Sequence, residues 1–144
     1  MISKVAIASD HAGYNLKEYI VNNLDDKVVV SDFGTNSNES CDFPDFASKV
    51  CEFVLENKNT RGILICGSGV GMSIAANKFA GIRAANVTDE LTAVQSVEHN
   101  NVNILSLGSN NVSNKLALNI ISAFLDSTFS EEERYQRRVN KFAN

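Results

Sequence analysis

Five short apolar runs punctuate the chain, at Val5–Ala8, Val28–Ser31, Gly62–Cys66, Ile82–Val87 and Val102–Leu107. They are rich in Val, Ile and Leu and nearly continuous rather than alternating, the pattern of parallel strands buried on both faces. Helical stripes separate them. Leu16, Ile20 and Leu24 mark the first, and Phe43, Phe46, Ala47, Val50, Cys51, Val54 and Leu55 the second. The segment after Gly71 and the stretch Asp89–Glu98 supply two more, and Leu116, Ile120, Ile121 and Phe124 a fifth. This alternation predicts a three-layer α/β domain with a five-stranded parallel sheet and right-handed crossovers. No linker, repeat or low-complexity tract divides residues 1–144, so one domain is expected. An extra C-terminal helix follows, with Ser130 as its N-cap and Glu133 at N3 in a capping box. That helix carries Arg134, Arg137 and Arg138 but few apolar residues for its own sheet, so packing on a partner subunit is expected.

Composition narrows the classes. The chain has 144 residues, 44% hydrophobic and 21% charged, as in ordinary globular proteins. A net charge of −4 argues against a nucleic-acid partner. No apolar run approaches the roughly 20 residues that span a bilayer. Residues Met1 to Val5 enter a strand pattern without signal-peptide architecture. Three cysteines, Cys41, Cys51 and Cys66, are odd in number and lack metal-ligand spacing. A reducing, cytoplasmic location with free thiols and no metal is the simplest reading.

In an open parallel sheet, ligands bind beyond the carboxyl ends of the strands. That rule draws attention to Ser9-Asp10-His11-Ala12-Gly13 after the first strand and Cys66-Gly67-Ser68-Gly69-Val70-Gly71 after the third. Glu98-His99-Asn100 precedes the fifth, and both histidines are expected to share one sheet edge with Cys66. Gly67, Gly69 and Gly71 let backbone N–H groups face an anion where a helix starts. A dinucleotide fingerprint and a cysteine-phosphatase loop both fail at Met72, and no Walker lysine follows. A tight turn without ligand remains the alternative. Cys66 reads either as an inert strand-end thiol or as a reactive one, favoured as thiolate by the helix start and the Ser68 hydroxyl. Asp10 and His11 read equally as surface charges, His99 as a helix-dipole partner, and Arg134 with Arg138 as a solvated face.

At these residues the chain resembles the ribose-5-phosphate isomerase B family of sugar-phosphate isomerases, over essentially its whole length. The carriers are Ser9 to Gly13, Asp32-Phe33-Gly34-Thr35, the run from Ile65 to Lys78 continuing to Gly81-Ile82-Arg83-Ala84, Glu98-His99-Asn100, and Arg134 to Val139. The resemblance implies a Rossmann-like fold and a homodimer or dimer of dimers with sites at the interface. It also implies cofactor-free interconversion of D-ribose 5-phosphate and D-ribulose 5-phosphate in the non-oxidative pentose phosphate pathway. Cys66 would be the base moving a proton between C2 and C1, assisted by Ser68. Backbone N–H groups of Gly67, Ser68, Gly69, Val70 and Gly71 would hold the enediolate oxygen. Asp10 and His99 would serve ring opening, Asn100 would contact the sugar, and His11, Arg134 and Arg138 would bind the phosphate. Two positions depart from the family pattern: Asn110 stands where an Arg is common, and Phe43 where a Tyr is. Another branch of the family places a Glu base where Met72 stands, so Cys66 puts this chain with the cysteine branch. A hexose-phosphate isomerase of the allose or galactose 6-phosphate type is the alternative, and a non-catalytic phosphosugar-binding module a further one.

Overall fold

The computed structural model describes residues 2–143. Five strands, β1 (Lys4–Ser9), β2 (Val29–Asp32), β3 (Thr60–Cys66), β4 (Ala84–Asn86) and β5 (Ile104–Gly108), form one parallel sheet in the order β2-β1-β3-β5-β4. Six helices accompany them: α1 (Tyr14–Asn23), α2 (Phe43–Glu56), α3 (Val70–Ala76), α4 (Glu90–Asn100), α5 (Asn114–Asp126) and α6 (Glu133–Val139). Every residue of β3 is buried, which explains its unbroken apolar run. Residues alternate between two cores. Val5, Ile7, Ile63, Ile65, Leu105 and Leu107 meet α1, α4 and α5. Ala6, Ala8, Leu64, Cys66 and Ile104 meet α2 and α3. The expected three-layer α/β architecture is the observed one. Among the described residues, no helix is long and apolar enough to cross a membrane.

The predicted boundaries shift where local hydrogen bonds override the pattern. The fourth strand shrinks from Ile82–Val87 to three residues, because Ile82 N–H closes a turn onto the Phe79 carbonyl and Arg83 N–H goes to Asn103 Oδ1. Leu55, expected on the apolar stripe of α2, is exposed. The capping box of the last helix does not form as predicted. Ser130 N–H is tied to the Glu98 carbonyl, its hydroxyl accepts from Glu132 N–H, and helical geometry begins only at Glu133. No residue of α6 is buried, in keeping with its poor apolar content.

Candidate active site

The strand order reverses beside β1: the chain leaves β1 for β2 on one side and reaches β3 on the other. The crevice of such a sheet lies at this switch, above the carboxyl ends of β1 and β3. Asp10 follows the last residue of β1, and Cys66 is the last residue of β3. Asp10 is 6% exposed, and its Oδ1 accepts from Gly13 N–H at 3.0 Å, closing the turn into α1. The Cys66 sulfur is nearly buried and accepts from Gly69 N–H at 3.1 Å. The Ser68 hydroxyl accepts from Val70 N–H at 3.2 Å instead of bonding the thiol. Gly69 has φ +80°, a conformation natural to glycine. Phe43 packs its ring on Gly71 and joins the core cluster that contains Cys66.

His11 completes this group. Its Nδ1 lies 3.2 Å from Cys41 N–H, which donates to it. The ring proton of the neutral form therefore sits on Nε2, leaving a donor for an anion. Behind the crevice, the fully buried Lys17 ammonium bonds Asp32 Oδ2 at 2.7 Å and Glu18 at 2.9 Å. Burial works against its charge, but the bonds to Asp32 and Glu18 outweigh it and hold the ammonium above its ordinary titration range. Asp32 Oδ1 in turn accepts from Gly34 N–H at 2.9 Å, and the Gly34 carbonyl accepts from Ser9 N–H at 2.7 Å. This chain of contacts braces the end of β1 that carries Asp10.

His99 and Asn100 do not join them. α4 returns the chain from the carboxyl end of β4 to the amino end of β5, so its last residues lie at the opposite end of the sheet. Ile104 pairs with Gly62, and Cys66 with Gly108. Those four residues alone span roughly 13 Å of strand, and His99 lies beyond them. The expected convergence of both histidines on one edge is therefore corrected: His11 stands at the thiol's end, His99 at the other. Arg134 and Arg138 stay with His99. The His99 ring stacks on Tyr135 at 4.3 Å, with the two planes 7° apart. The guanidinium groups of Arg134 and Arg138 lie 4.6 and 5.9 Å from the Tyr135 ring. Arg134 pairs with Glu132 at 2.8 Å and Arg137 with Glu133 at 2.5 Å. A groove of about 570 Å³ runs along the outer edge of β4, lined by Arg83, Asn86, Gln95, His99, Asn100 and Phe142 among others. Among the described residues, no group of three or more His, Cys, Asp or Glu side chains is placed to hold a metal ion.

Residues 5–142 match the sequence profile of the ribose/galactose isomerase family. The chain belongs to that family. Ribose-5-phosphate isomerase B of Escherichia coli (strain K12) is 45% identical over 139 residues, covering 96% of this chain and 93% of that protein. Ribose-5-phosphate isomerase B of Clostridium thermocellum superposes with a TM-score of 0.90 at 50% identity, covering 96% of this chain and 93% of the other. The Mycoplasma genitalium ribose-5-phosphate isomerase B, solved with bound ribulose-5-phosphate, does so with a TM-score of 0.90 at 42% identity, over 96% and 92%. Membership makes the chain an isomerase.

Several contacts in the site escaped the sequence reading. Tyr135 pairs with His99 across 36 positions of chain, and Cys41 reaches His11 across 30, so neither carries a local signal. The Lys17–Asp32 pair was hidden because an isolated lysine on a helix usually reads as solvated. The amides of Asn86 and Asn111 both bond the Ser68 carbonyl, but Asn86 ends the short edge strand β4 and Asn111 sits in a turn where asparagine is common.

Proposed function

We propose that residues 1–144 act as one domain that interconverts D-ribose 5-phosphate and D-ribulose 5-phosphate through an enediolate. The carrying observation is the Cys66 sulfur, buried at the sheet's switch point, bonded by Gly69 N–H and flanked by Asp10. The ketose phosphate bound by the Mycoplasma genitalium relative supports a pentose substrate over the hexose alternative.

In the open-chain aldose, the Cys66 thiolate takes the proton from C2. The electron pair becomes the C1–C2 double bond, and negative charge collects on the C1 oxygen. Backbone N–H groups from Gly67 to Gly71 stabilise that charge, a type of contact worth a factor of about 10²–10³ per donor. The thiol then returns its proton to C1 while the C2 hydroxyl proton passes to the C1 oxygen, giving the ketose. Asp10 and His99 open the ring by accepting the anomeric hydroxyl proton and supplying one to the ring oxygen. Ser68 steadies the loop and Asn100 contacts the sugar. His11 Nε2–H, Arg134 and Arg138 bind the phosphate, whose binding energy positions C1 and C2.

His99, Asn100 and the two arginines meet Cys66 only if a second copy supplies them. We therefore read the working form as a homodimer, or a dimer of dimers, with each site built from opposite ends of two chains. The exposed Val70 and Ile74, one turn apart on α3, and Leu91 on α4 offer apolar surface for that contact. The free thiols of Cys41, Cys51 and Cys66 suit a cytoplasmic setting.

Turnover of ribose 5-phosphate, allose 6-phosphate and galactose 6-phosphate by the purified chain tests the substrate. The highest kcat/KM is expected for ribose 5-phosphate. A preference for either hexose phosphate would overturn the pentose assignment.

A further inference from the structure

Four consecutive carbonyls of the loop after β3 are held from the β4 and β5 side. Those of Cys66 and Gly67 accept from the backbone N–H groups of Ser109 at 2.9 Å and Asn110 at 3.0 Å. The Ser68 carbonyl accepts from two side-chain amides at once, Asn86 Nδ2 at 3.2 Å and Asn111 Nδ2 at 3.3 Å. The Gly69 carbonyl accepts from the buried Ser106 hydroxyl at 2.6 Å. β5 makes room for this grip by ending on Gly108, where a Cβ would stand 2.5 Å from the Ser68 oxygen.

The Ser68 carbonyl and the Gly69 N–H belong to one peptide unit. In a planar trans unit the two point in opposite directions, so holding the oxygen aims the N–H. That N–H is the one that donates to the Cys66 sulfur. Asn86 Oδ1 also occupies the space that a side chain at Gly69 would need, 2.4 Å from where its Cβ would stand. We propose that Asn86 and Asn111 are positioning residues for Cys66, acting through the Ser68–Gly69 peptide they clamp. The proposal rests on the reading of Cys66 as the base. A hydrogen bond to sulfur favours thiolate over thiol. Releasing the clamp leaves fewer molecules with a competent base, while the phosphate contacts are untouched.

Both side chains are exposed, so leucine, similar in shape but unable to donate, can replace either. The test is an Asn86→Leu, Asn111→Leu double variant, with Cys66 alkylation by iodoacetamide followed by peptide mass mapping as pH is varied. The half-maximal alkylation pH should rise by about one unit, a roughly tenfold loss of thiolate below that pH. At neutral pH, kcat should fall about tenfold with KM for ribose 5-phosphate changed less than about twofold. Each single variant should move less, because the other amide keeps hold of the oxygen. An unchanged alkylation profile in a double variant with the parental circular dichroism spectrum overturns the proposal, as does a loss of kcat without the shift. If the double variant does not fold, an unchanged profile in both single variants overturns it equally. Alkylation reads the thiol without substrate, so a failure to isomerise ribose 5-phosphate would strike the functional reading and leave the clamp still tested.

Discussion

At the scale of single residues, the role proposed for Cys66 rests on position. Cysteine at the end of a fully buried strand would be an inert packing residue, were the next turn not to bring Gly69 N–H onto its sulfur. The contrast lies within the chain: burial, followed by the nearby Glu52 charge, pushes the Cys51 thiol up to about 12, which keeps it protonated and unreactive at neutral pH. Cys66→Ala should therefore lower kcat at least about 100-fold, the low end of what a positioned base contributes, with little change in ligand affinity. Converting ribulose 5-phosphate in D2O makes the test specific, since protonation of the enediolate at C2 writes deuterium into ribose 5-phosphate. Label should appear with the parent and be lost with Cys66→Ala. Undiminished incorporation would assign the base to another group. Cys66, Asp10 and the glycine loop were legible because the chemistry of strand ends is local in sequence. Asn86 and Asn111 were not, since nothing in a lone asparagine at a strand end or in a turn reveals which distant carbonyl it will meet.

At the scale of elements, two helix ends are closed by residues that can be tested separately. Arg61 enters the end of α5 from β3, donating from Nη1 to the Phe124 carbonyl and from Nη2 to Ser127 O at 2.8 Å, with its guanidinium 5.0 Å from the Phe124 ring. Burial pulls it down to about 10, so it remains charged at neutral pH. Arg61→Leu leaves these carbonyls unpaired and should cost about 2 kcal/mol in urea-induced unfolding, with kcat unaffected in the folded fraction. Asp89 caps α4, accepting from Thr92 N–H at 2.7 Å and from the Thr92 hydroxyl at 2.8 Å. Those bonds, the backbone one first, hold its carboxyl below the ordinary 3.8. A carboxyl lowered on folding stabilises the native state above its unfolded value and loses that effect as pH falls through the folded one. The stability gap between the parent and Asp89→Ala should thus be constant near neutrality and narrow as pH drops below 3.8. A gap that widened in acid would remove the cap from the account of α4. Helices were legible from their apolar stripes and strands from their short continuous apolar runs, and Asp89 begins its predicted stretch. The ends of β4 and α6 were not, because side-chain and backbone bonds to Asn103 and Glu98 decide them from elsewhere in the fold.

At the scale of the whole molecule, helix direction separates what sequence order seemed to unite. His99 stands just before β5 and Cys66 at the end of β3, yet α4 delivers its final turn to the amino end of the sheet. The fold was legible, but this division of the site depends on which way each helix runs, a feature of topology rather than of motif. Tyr135, stacked on His99, and the arginines beside it would form the far half of the proposed site. Two chains packed antiparallel about a two-fold axis would give each thiol a histidine and a pair of arginines from its partner. The direct test is activity after subunit exchange between a Cys66→Ala chain and an Arg134→Ala, Arg138→Ala chain. Each variant alone should be nearly inactive at low substrate. With random pairing half of the dimers are hybrids, and one of the two sites in each is intact, so about a quarter of parental activity should return. No recovery, once exchange has been verified by mass spectrometry, would contradict the shared site and return the arginines to the same chain as the thiol they serve.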